Sequence, residues 1–165
     1  MTRTLILTRH TKSSWQSPAQ SDHDRPLNKR GERAAKALGD WMRNNGWSPD
    51  QVLSSDATRT RQTYAGLGLG AKADFIRDLY HTDPNGMRGI LARATGETVL
   101  MLGHNPVIAA FAAELARDPP RHPLFYDYPT GATSVLRFDV ENWADVAWRT
   151  GEVVDFVVPR DLPET

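Results

Sequence analysis

The sequence contains no cysteine among its 165 residues. Disulfide bonds, thiolate nucleophiles and zinc sites built on thiolates are therefore excluded, and the composition fits a reducing compartment. Long hydrophobic runs are missing too: no apolar stretch approaches the roughly 20 residues that cross a bilayer. Residues 5–7, apolar and near the N-terminus, are too few for the core of a signal peptide. We therefore expect a cytoplasmic protein that does not contact a membrane.

An excess of charge of either sign is also missing. Lys+Arg and Asp+Glu both number 20, so the formal net charge is zero. A general nucleic-acid binder would carry a surplus of basic residues, so we expect no nucleic-acid partner. The balance still allows a few arginines to converge on one pocket. The length suits one domain with its own core, and we expect that domain to span residues 1–165.

The sequence does contain short apolar runs that alternate with amphipathic segments. Residues 5–8 and 98–102 predict strands that are buried on both faces of a sheet. Ala34, Leu38 and Met42 recur at helical spacing and follow a plausible helix cap, Asn28. Ser55 or Asp56 is the expected cap of the next helix. Further strands are predicted at residues 51–54, 73–76 and 134–138, one or two more at 146–149 and 152–158, and further helices at 58–67, 87–94 and 107–116. This order predicts an α/β fold whose last strands pair antiparallel at the sheet edge.

Residues capable of chemistry follow three of the predicted strands. Arg9 and His10 follow the first strand, and His104 follows the strand at 98–102. Arg59 lies in the first turns of the helix after the strand at 51–54, where the helix dipole and free N–H groups favour anions. Ligands in open α/β sheets bind just past the carboxyl ends of the strands. Two histidines and two arginines at such ends predict an anion pocket suited to phosphate.

Two loops carry further polar candidates. His81 lies in the loop after the predicted strand at 73–76, where a histidine can titrate near neutral pH. Asp22, His23 and Asp24 lie in a polar loop that follows the first strand. For at least two of these three, a solvated side chain is the expected interpretation.

Several motifs occur together and in a fixed order. Arg9-His10 follows a strand, Arg59 occurs within Ser-x-x-x-Arg-x-x-Gln-Thr, and Gly103-His104 follows a later strand. This set resembles the histidine phosphatase superfamily, which includes phosphoglycerate mutase-like enzymes. More narrowly, the chain is similar to the small SixA-type phosphohistidine phosphatases, and the resemblance covers nearly the whole chain. The motifs of that narrower resemblance are Asp24-Arg-Pro-Leu-x-x-Arg-Gly31, Leu79-Tyr-His81, Gly103-His-Asn-Pro106 and Tyr128-Pro-Thr-Gly131.

The resemblance implies a fold and a mechanism. The fold would be a three-layer α/β/α sandwich with a mostly parallel sheet and an antiparallel edge strand. His10 would be the nucleophile that becomes a phosphohistidine, while Arg9, Arg59 and a protonated His104 would hold the phosphate oxygens. Such a site needs neither a metal nor a cofactor. Ser13, in the polar stretch after His10, is a further candidate contact for the substrate.

Two departures from the family pattern affect the expected substrate. Thr11 stands where the family usually has glycine, so the backbone there has less freedom. Many members have an acidic glutamate after the strand at 73–76, whereas here His81 occupies the matching place and is the candidate acid. An alkoxide leaving group needs a proton donor, but the nitrogen of a phosphohistidine is easier to expel once protonated. We therefore predict protein phosphohistidine as the substrate. The chain is short and has little inserted sequence that could form a lid, so a bulky protein substrate could reach His10.

Three alternatives remain open at the level of sequence. The first is a phosphatase for a small phosphorylated substrate, with His81 or Asp24 as the acid. The second is a phosphate-binding or interaction module without catalysis. The third, a mutase, is favoured least because the chain offers little sequence for a second substrate-orienting region. The sequence leaves the oligomeric state open.

Overall fold

A six-stranded sheet organises the part of the chain that the structure describes. The computed structural model describes residues 1–15 and 20–163. The strands are β1 (Thr2–Arg9), β2 (Gln51–Ser55), β3 (Ala73–Ile76), β4 (Thr98–Gly103), β5 (Thr133–Asp139) and β6 (Glu152–Val157). The helices are α1 (Lys29–Asn44), α2 (Thr58–Leu67), α3 (Pro84–Ala92) and α4 (Val107–Leu115). Short 3-10 turns lie at Arg77–Leu79, Trp143–Asp145 and Pro159–Asp161.

The strand order explains how distant motifs meet. The order across the sheet is β3-β2-β4-β1-β5-β6. The pairs β3-β2, β2-β4 and β4-β1 are parallel, whereas β5 pairs antiparallel with both β1 and β6. Arg9 is in register with Gly103, so β1 and β4 end side by side. The predicted mostly parallel sheet with antiparallel pairing at one edge is confirmed.

Helices cover both faces of the central strands. On β1, Leu5 and Leu7 pack into one core together with residues of α3 and α4, while Ile6 packs into a second core with residues of α1 and α2. All three side chains are fully buried, as the apolar run predicts. The three-layer α/β/α arrangement is therefore confirmed.

The starts of α1 and α2 agree only in part with the sequence analysis. Asn28 caps α1, since its Oδ1 accepts the N–H of Gly31 at 2.8 Å. The prediction that Ser55 or Asp56 caps α2 is wrong: the cap residue is Ala57, without a side-chain hydrogen bond. The reason is that Ser55 still belongs to β2, and its hydroxyl accepts the N–H of Ala57 at 3.2 Å. None of the described helices is long and apolar enough to cross a membrane.

The predicted strand at residues 146–149 does not form. Trp143 is buried within a 3-10 turn, and its indole N–H donates to the carbonyl of Gly96 at 2.7 Å. Arg149 has a φ of 64°, which breaks an extended run, and its N–H donates to Glu114 at the end of α4. This segment is therefore hydrogen-bonded to the end of α4 and does not pair with the sheet. In the described part of the chain, β6 is the one strand after Asp139.

Candidate active site

A cavity of about 370 Å³ lies where β1, β2 and β4 end. Six residues that the sequence analysis proposes for the site line it: Arg9, His10, Ser13, Arg59, His81 and His104. The cavity is also lined by residues that the sequence analysis does not propose: Lys12, Trp15, Asp22, Arg25, Tyr80, Asn105 and Thr130. The topology thus brings the predicted residues together within one pocket.

His10 is held as a neutral imidazole. It is only 4% exposed, and its Nδ1 lies 2.7 Å from the carbonyl oxygen of Thr11. Because a carbonyl only accepts, Nδ1 carries the proton and Nε2 carries the lone pair. Burial lowers the pKa of His10 to about 3, with His104, Arg9 and Arg59 acting in the same direction. At neutral pH Nε2 is therefore available as a nucleophile.

Hydrogen bonds to Thr63 of α2 hold Thr11 in the protein interior. Its backbone N–H donates to Thr63 Oγ1 at 3.1 Å, and the two hydroxyls lie 3.3 Å apart. Both residues are fully buried. In the same motif Gln62 Oε1 accepts the N–H of Leu27 at 2.8 Å, just before α1. The Gln-Thr pair of the Arg59 motif therefore fixes the backbone on both sides of the pocket, and threonine in place of glycine at position 11 is accommodated.

Arg9 and Arg59 place unpaired N–H groups in this region. Arg59 is 6% exposed; its Nη1 donates to the carbonyl of Asp22 at 2.7 Å and its Nη2 to the carboxylate of Asp22 at 3.1 Å. Arg9 Nη1 donates to the carbonyl of Tyr128 at 3.3 Å. The Nε atoms of both arginines are buried and have no hydrogen-bond partner among the described residues. Burial, together with the charge of Arg59, lowers the pKa of Arg9.

His104 is also buried and neutral. Its Nε2 lies 2.8 Å from the hydroxyl of Ser55, and its Nδ1 is buried without a partner in the described ranges. Burial, reinforced by Arg59 and Arg9, lowers the pKa of His104 to about 3. His104 is therefore neutral in the free site, because desolvation and two nearby guanidinium groups disfavour a third cation; a protonated His104 stays a prediction for the site with phosphate bound.

Asp22 is the principal pocket residue to which the sequence analysis assigns no role, since it names Asp22 only as one of three polar loop residues. Its Oδ1 accepts from Arg25 Nε at 3.1 Å, and its Oδ2 accepts from Arg59 Nη2 at 3.1 Å and from the Tyr80 hydroxyl at 2.5 Å. The hydrogen bond from Tyr80, helped by Arg59 and Arg25, holds the pKa of this carboxyl well below its usual range. Its spacing of three residues from Arg25 is the only sequence signal, and it does not distinguish Asp22 from a solvated loop residue.

Asp24 lies outside the pocket. It pairs with Ser21 at 2.9 Å and lies 3.7 Å from His23. His23 in turn pairs with Asp56 at 2.8 Å. The alternative that uses Asp24 as the acid is therefore not supported by its position, because the carboxylate that lines the cavity is that of Asp22.

Ser13 and His81 lie toward the rim of the cavity. Ser13 Oγ accepts from Arg25 Nη1 at 2.6 Å, and the guanidinium of Arg25 stacks on the ring of Trp15 at 3.5 Å. His81 is exposed, and its ring centroid lies 4.2 Å from that of Tyr80. Ser13 therefore acts on a pocket arginine, and His81 is accessible to a bound ligand.

The chain matches known proteins over nearly its full length. The family model described as "Histidine phosphatase superfamily (branch 1)" matches residues 5–80. An uncharacterized protein of Mycobacterium tuberculosis is 37% identical over 159 residues, which are 92% of this chain and 99% of the relative. Two solved structures, provisionally assigned as the phosphohistidine phosphatase SixA, are also similar. That from Nakamurella multipartitia has 33% identity and a TM-score of 0.86, covering 96% of this chain and 97% of the other. That from Agrobacterium tumefaciens has 27% identity and a TM-score of 0.76, covering 95% and 98%.

The fold, the pocket and these similarities assign a family. The chain belongs to the histidine phosphatase superfamily, and it is a phosphatase with a phosphoglycerate mutase-like fold. Within the superfamily it is of the SixA type. The resemblance found in the sequence is thereby confirmed, while the roles of individual pocket residues remain predictions.

Proposed function

We propose that this chain is a metal-independent phosphatase that forms a phosphohistidine intermediate on His10 and removes phosphate from protein phosphohistidine. One observation carries this proposal. Of the four buried side-chain atoms without a hydrogen-bond partner in the described ranges, three are Arg9 Nε, Arg59 Nε and His104 Nδ1. Buried polar groups are rarely left unpaired. Three such nitrogens beside a neutral imidazole form a site for an anion next to a nucleophile.

The chemistry of phosphoryl transfer fits these groups. Nε2 of His10 attacks phosphorus, and the arginines compensate the charge on the equatorial oxygens. A phosphate dianion beside His104 raises the pKa of that imidazole, so His104 can take up a proton when the substrate binds. Water then cleaves the bond between phosphorus and Nε2. The covalent intermediate divides one difficult displacement into two easier ones.

The proposed substrate differs from the alternative substrates in whether its leaving group needs a proton donor. Asp22 is ionised and has no proton to donate. A phosphohistidine that is protonated on its ring leaves as neutral imidazole and needs no acid. The main alternative is a small phosphorylated substrate, and it is supported by the accessible His81 at the pocket rim, which could supply a proton. We also propose one phosphatase domain acting in the cytoplasm on a phosphorylated protein.

The decisive experiment compares substrates and variants side by side. A phosphohistidine-bearing protein and p-nitrophenyl phosphate are assayed with wild type, His10→Ala and the control His122→Ala; His122 pairs with Asp161 and does not line the pocket. We expect His10→Ala to abolish turnover and acid-labile labelling with radioactive phosphate, and His122→Ala to retain both. We expect EDTA to have no effect.

Each other outcome has a definite meaning. Turnover by His10→Ala would exclude the covalent mechanism. Strong activity on alkyl phosphates would favour the small-substrate phosphatase. Phosphate binding without turnover on any substrate would favour the binding module, and loss of activity in EDTA would contradict a metal-independent site.

A further inference from the structure

The one carboxylate among the described pocket-lining side chains is poised to accept another hydrogen bond. Asp22 already accepts three, from Arg25, Arg59 and Tyr80. An ionised carboxylate offers about four lone-pair sites. Its side chain is 51% exposed, so the remaining site can be reached by a ligand.

His10, the proposed nucleophile, already has a hydrogen-bond acceptor for the nitrogen that does not react. When Nε2 of His10 takes the phosphoryl group, the ring becomes a cation whose Nδ1–H already donates to the Thr11 carbonyl. Transfer between two imidazole rings is close to symmetric. An acceptor placed against the N–H of the substrate ring would keep that ring protonated, the form from which it can leave as neutral imidazole, as the Thr11 carbonyl keeps the proton on Nδ1 of His10.

We propose that Asp22 is a specificity-determining residue, which accepts a hydrogen bond from the protonated imidazole ring of the phosphorylated substrate and so favours N-phosphoryl over O-phosphoryl substrates. This inference rests on the proposed function. In the step, the bond from His10 Nε2 to phosphorus forms and the bond from phosphorus to the leaving nitrogen breaks. The electron pair of that broken bond stays on the leaving nitrogen. The leaving ring, which keeps the proton on its other nitrogen, departs as neutral imidazole.

Two properties of the pocket support this selectivity. A carboxylate opposes the negative charge that develops on a leaving oxygen, and it stabilises the cationic, ring-protonated form of an N-phosphoimidazole, from which neutral imidazole leaves. Flat rings also line the cavity: Trp15 is 73% exposed, and the ring centroids of Tyr80 and His81 lie 4.2 Å apart with their planes inclined at 50°. Such rings suit a planar heteroaromatic leaving group.

The test measures selectivity in Asp22→Asn. N-phosphoimidazole and p-nitrophenyl phosphate serve as substrates, and inorganic phosphate serves as the ligand for calorimetric titration. We expect the ratio of kcat/KM for N-phosphoimidazole to kcat/KM for the aryl ester to fall by about 10-fold or more, the loss of one charge-assisted hydrogen bond. We expect the affinity for inorganic phosphate to stay the same or increase, because a negative charge is removed. Asp24→Asn is the matched control, since Asp24 lies outside the pocket, and we expect it to behave as wild type.

The outcomes distinguish this inference from the proposed function. A parallel fall in turnover of both substrates and in phosphate affinity would mean that Asp22 only positions Arg59, and would overturn the inference. If Asp22→Asn loses the preference for N-phosphoimidazole over the aryl ester but the wild type is inactive on every phosphohistidine protein, the inference stands and the proposed substrate is excluded. Absence of wild-type activity on every N-phosphoryl compound would remove both.

Discussion

Ser55 is the hydrogen-bond partner of His104. Its hydroxyl oxygen accepts the N–H of Ala57 at 3.2 Å and lies 2.8 Å from His104 Nε2. The hydroxyl proton is available to donate to Nε2, and we predict this arrangement, with the ring proton on Nδ1. Nδ1 is the buried atom without a partner in the described part of the chain, so we predict that it donates to a phosphate oxygen.

Removing this hydroxyl should impair catalysis more than stability. We expect Ser55→Ala to lower kcat/KM by about 10-fold, because the ring loses a fixed tautomer worth about one hydrogen bond. Ser55→Thr should restore most of the activity. The control is Ser54→Ala, which removes an equally buried hydroxyl whose one hydrogen bond within the described residues is to the Ser55 carbonyl, at 2.9 Å. Equal kinetic losses in Ser54→Ala and Ser55→Ala, measured beside their urea unfolding curves, would assign Ser55 a structural role only.

At the scale of elements, α1 is seated against the chain that follows β1. A Cβ built on Gly31 would overlap the carbonyl oxygen of Lys12, and that carbonyl accepts the N–H of Asn28 at 3.0 Å. Glycine at position 31 thus allows the first turn of α1 to lie against the backbone next to Thr11. This contact connects the Arg-Gly31 end of the motif to the backbone next to the site, although Gly31 does not line the pocket.

We expect Gly31→Ala to destabilise the protein by about 2 kcal/mol, because the contact is with backbone that cannot move aside cheaply. Activity should fall with it, because the Lys12 backbone is two residues from His10, the proposed nucleophile. Gly89→Ala in α3 is the control: its Cβ would meet no atom within 4 Å, so we expect stabilisation of about 0.5–1 kcal/mol from helix propensity. Urea unfolding measures both. A Gly31→Ala protein as stable as wild type would contradict this packing.

At the scale of the whole molecule, the buried histidines link the site to acid stability. His10 and His104 have folded pKa values of about 3, against an ordinary value of 6.5. Below pH 6.5 the unfolded chain takes up protons on these rings while the folded chain does not. The unfolded state is thereby favoured as the pH falls from about 6.5 toward 3.

We expect the free energy of unfolding to drop by roughly 1 kcal/mol per buried histidine between pH 6.5 and pH 5.5. Urea unfolding in phosphate-free buffer at pH 7.5, 6.5 and 5.5 measures this drop. His104→Asn should show a shallower dependence on pH than wild type. A free energy of unfolding that is flat over this range, or an unchanged slope in His104→Asn, would contradict buried neutral imidazoles.

Much of the architecture is predictable because its causes are local. Apolar runs such as residues 5–8 specify strands buried on both faces, and helical periodicity specifies α1. Residues 146–149 fail as a strand because Trp143 and Arg149 find partners in distant segments, at Gly96 and Glu114. The sequence of the segment itself does not indicate these distant hydrogen-bond partners.

The sequence by itself determined the order of strands and helices, and it determined that Arg9, His10, Arg59 and His104 follow strands that end at one edge. Only the tertiary structure selected Asp22 rather than Asp24 for the pocket, because Tyr80, 58 positions away, meets Asp22 across the cavity. It alone made His104 neutral, since desolvation and the nearness of two guanidinium groups depend on the packed molecule. Periodicity acts between neighbours along the chain, whereas charge and burial depend on distances that exist only after folding.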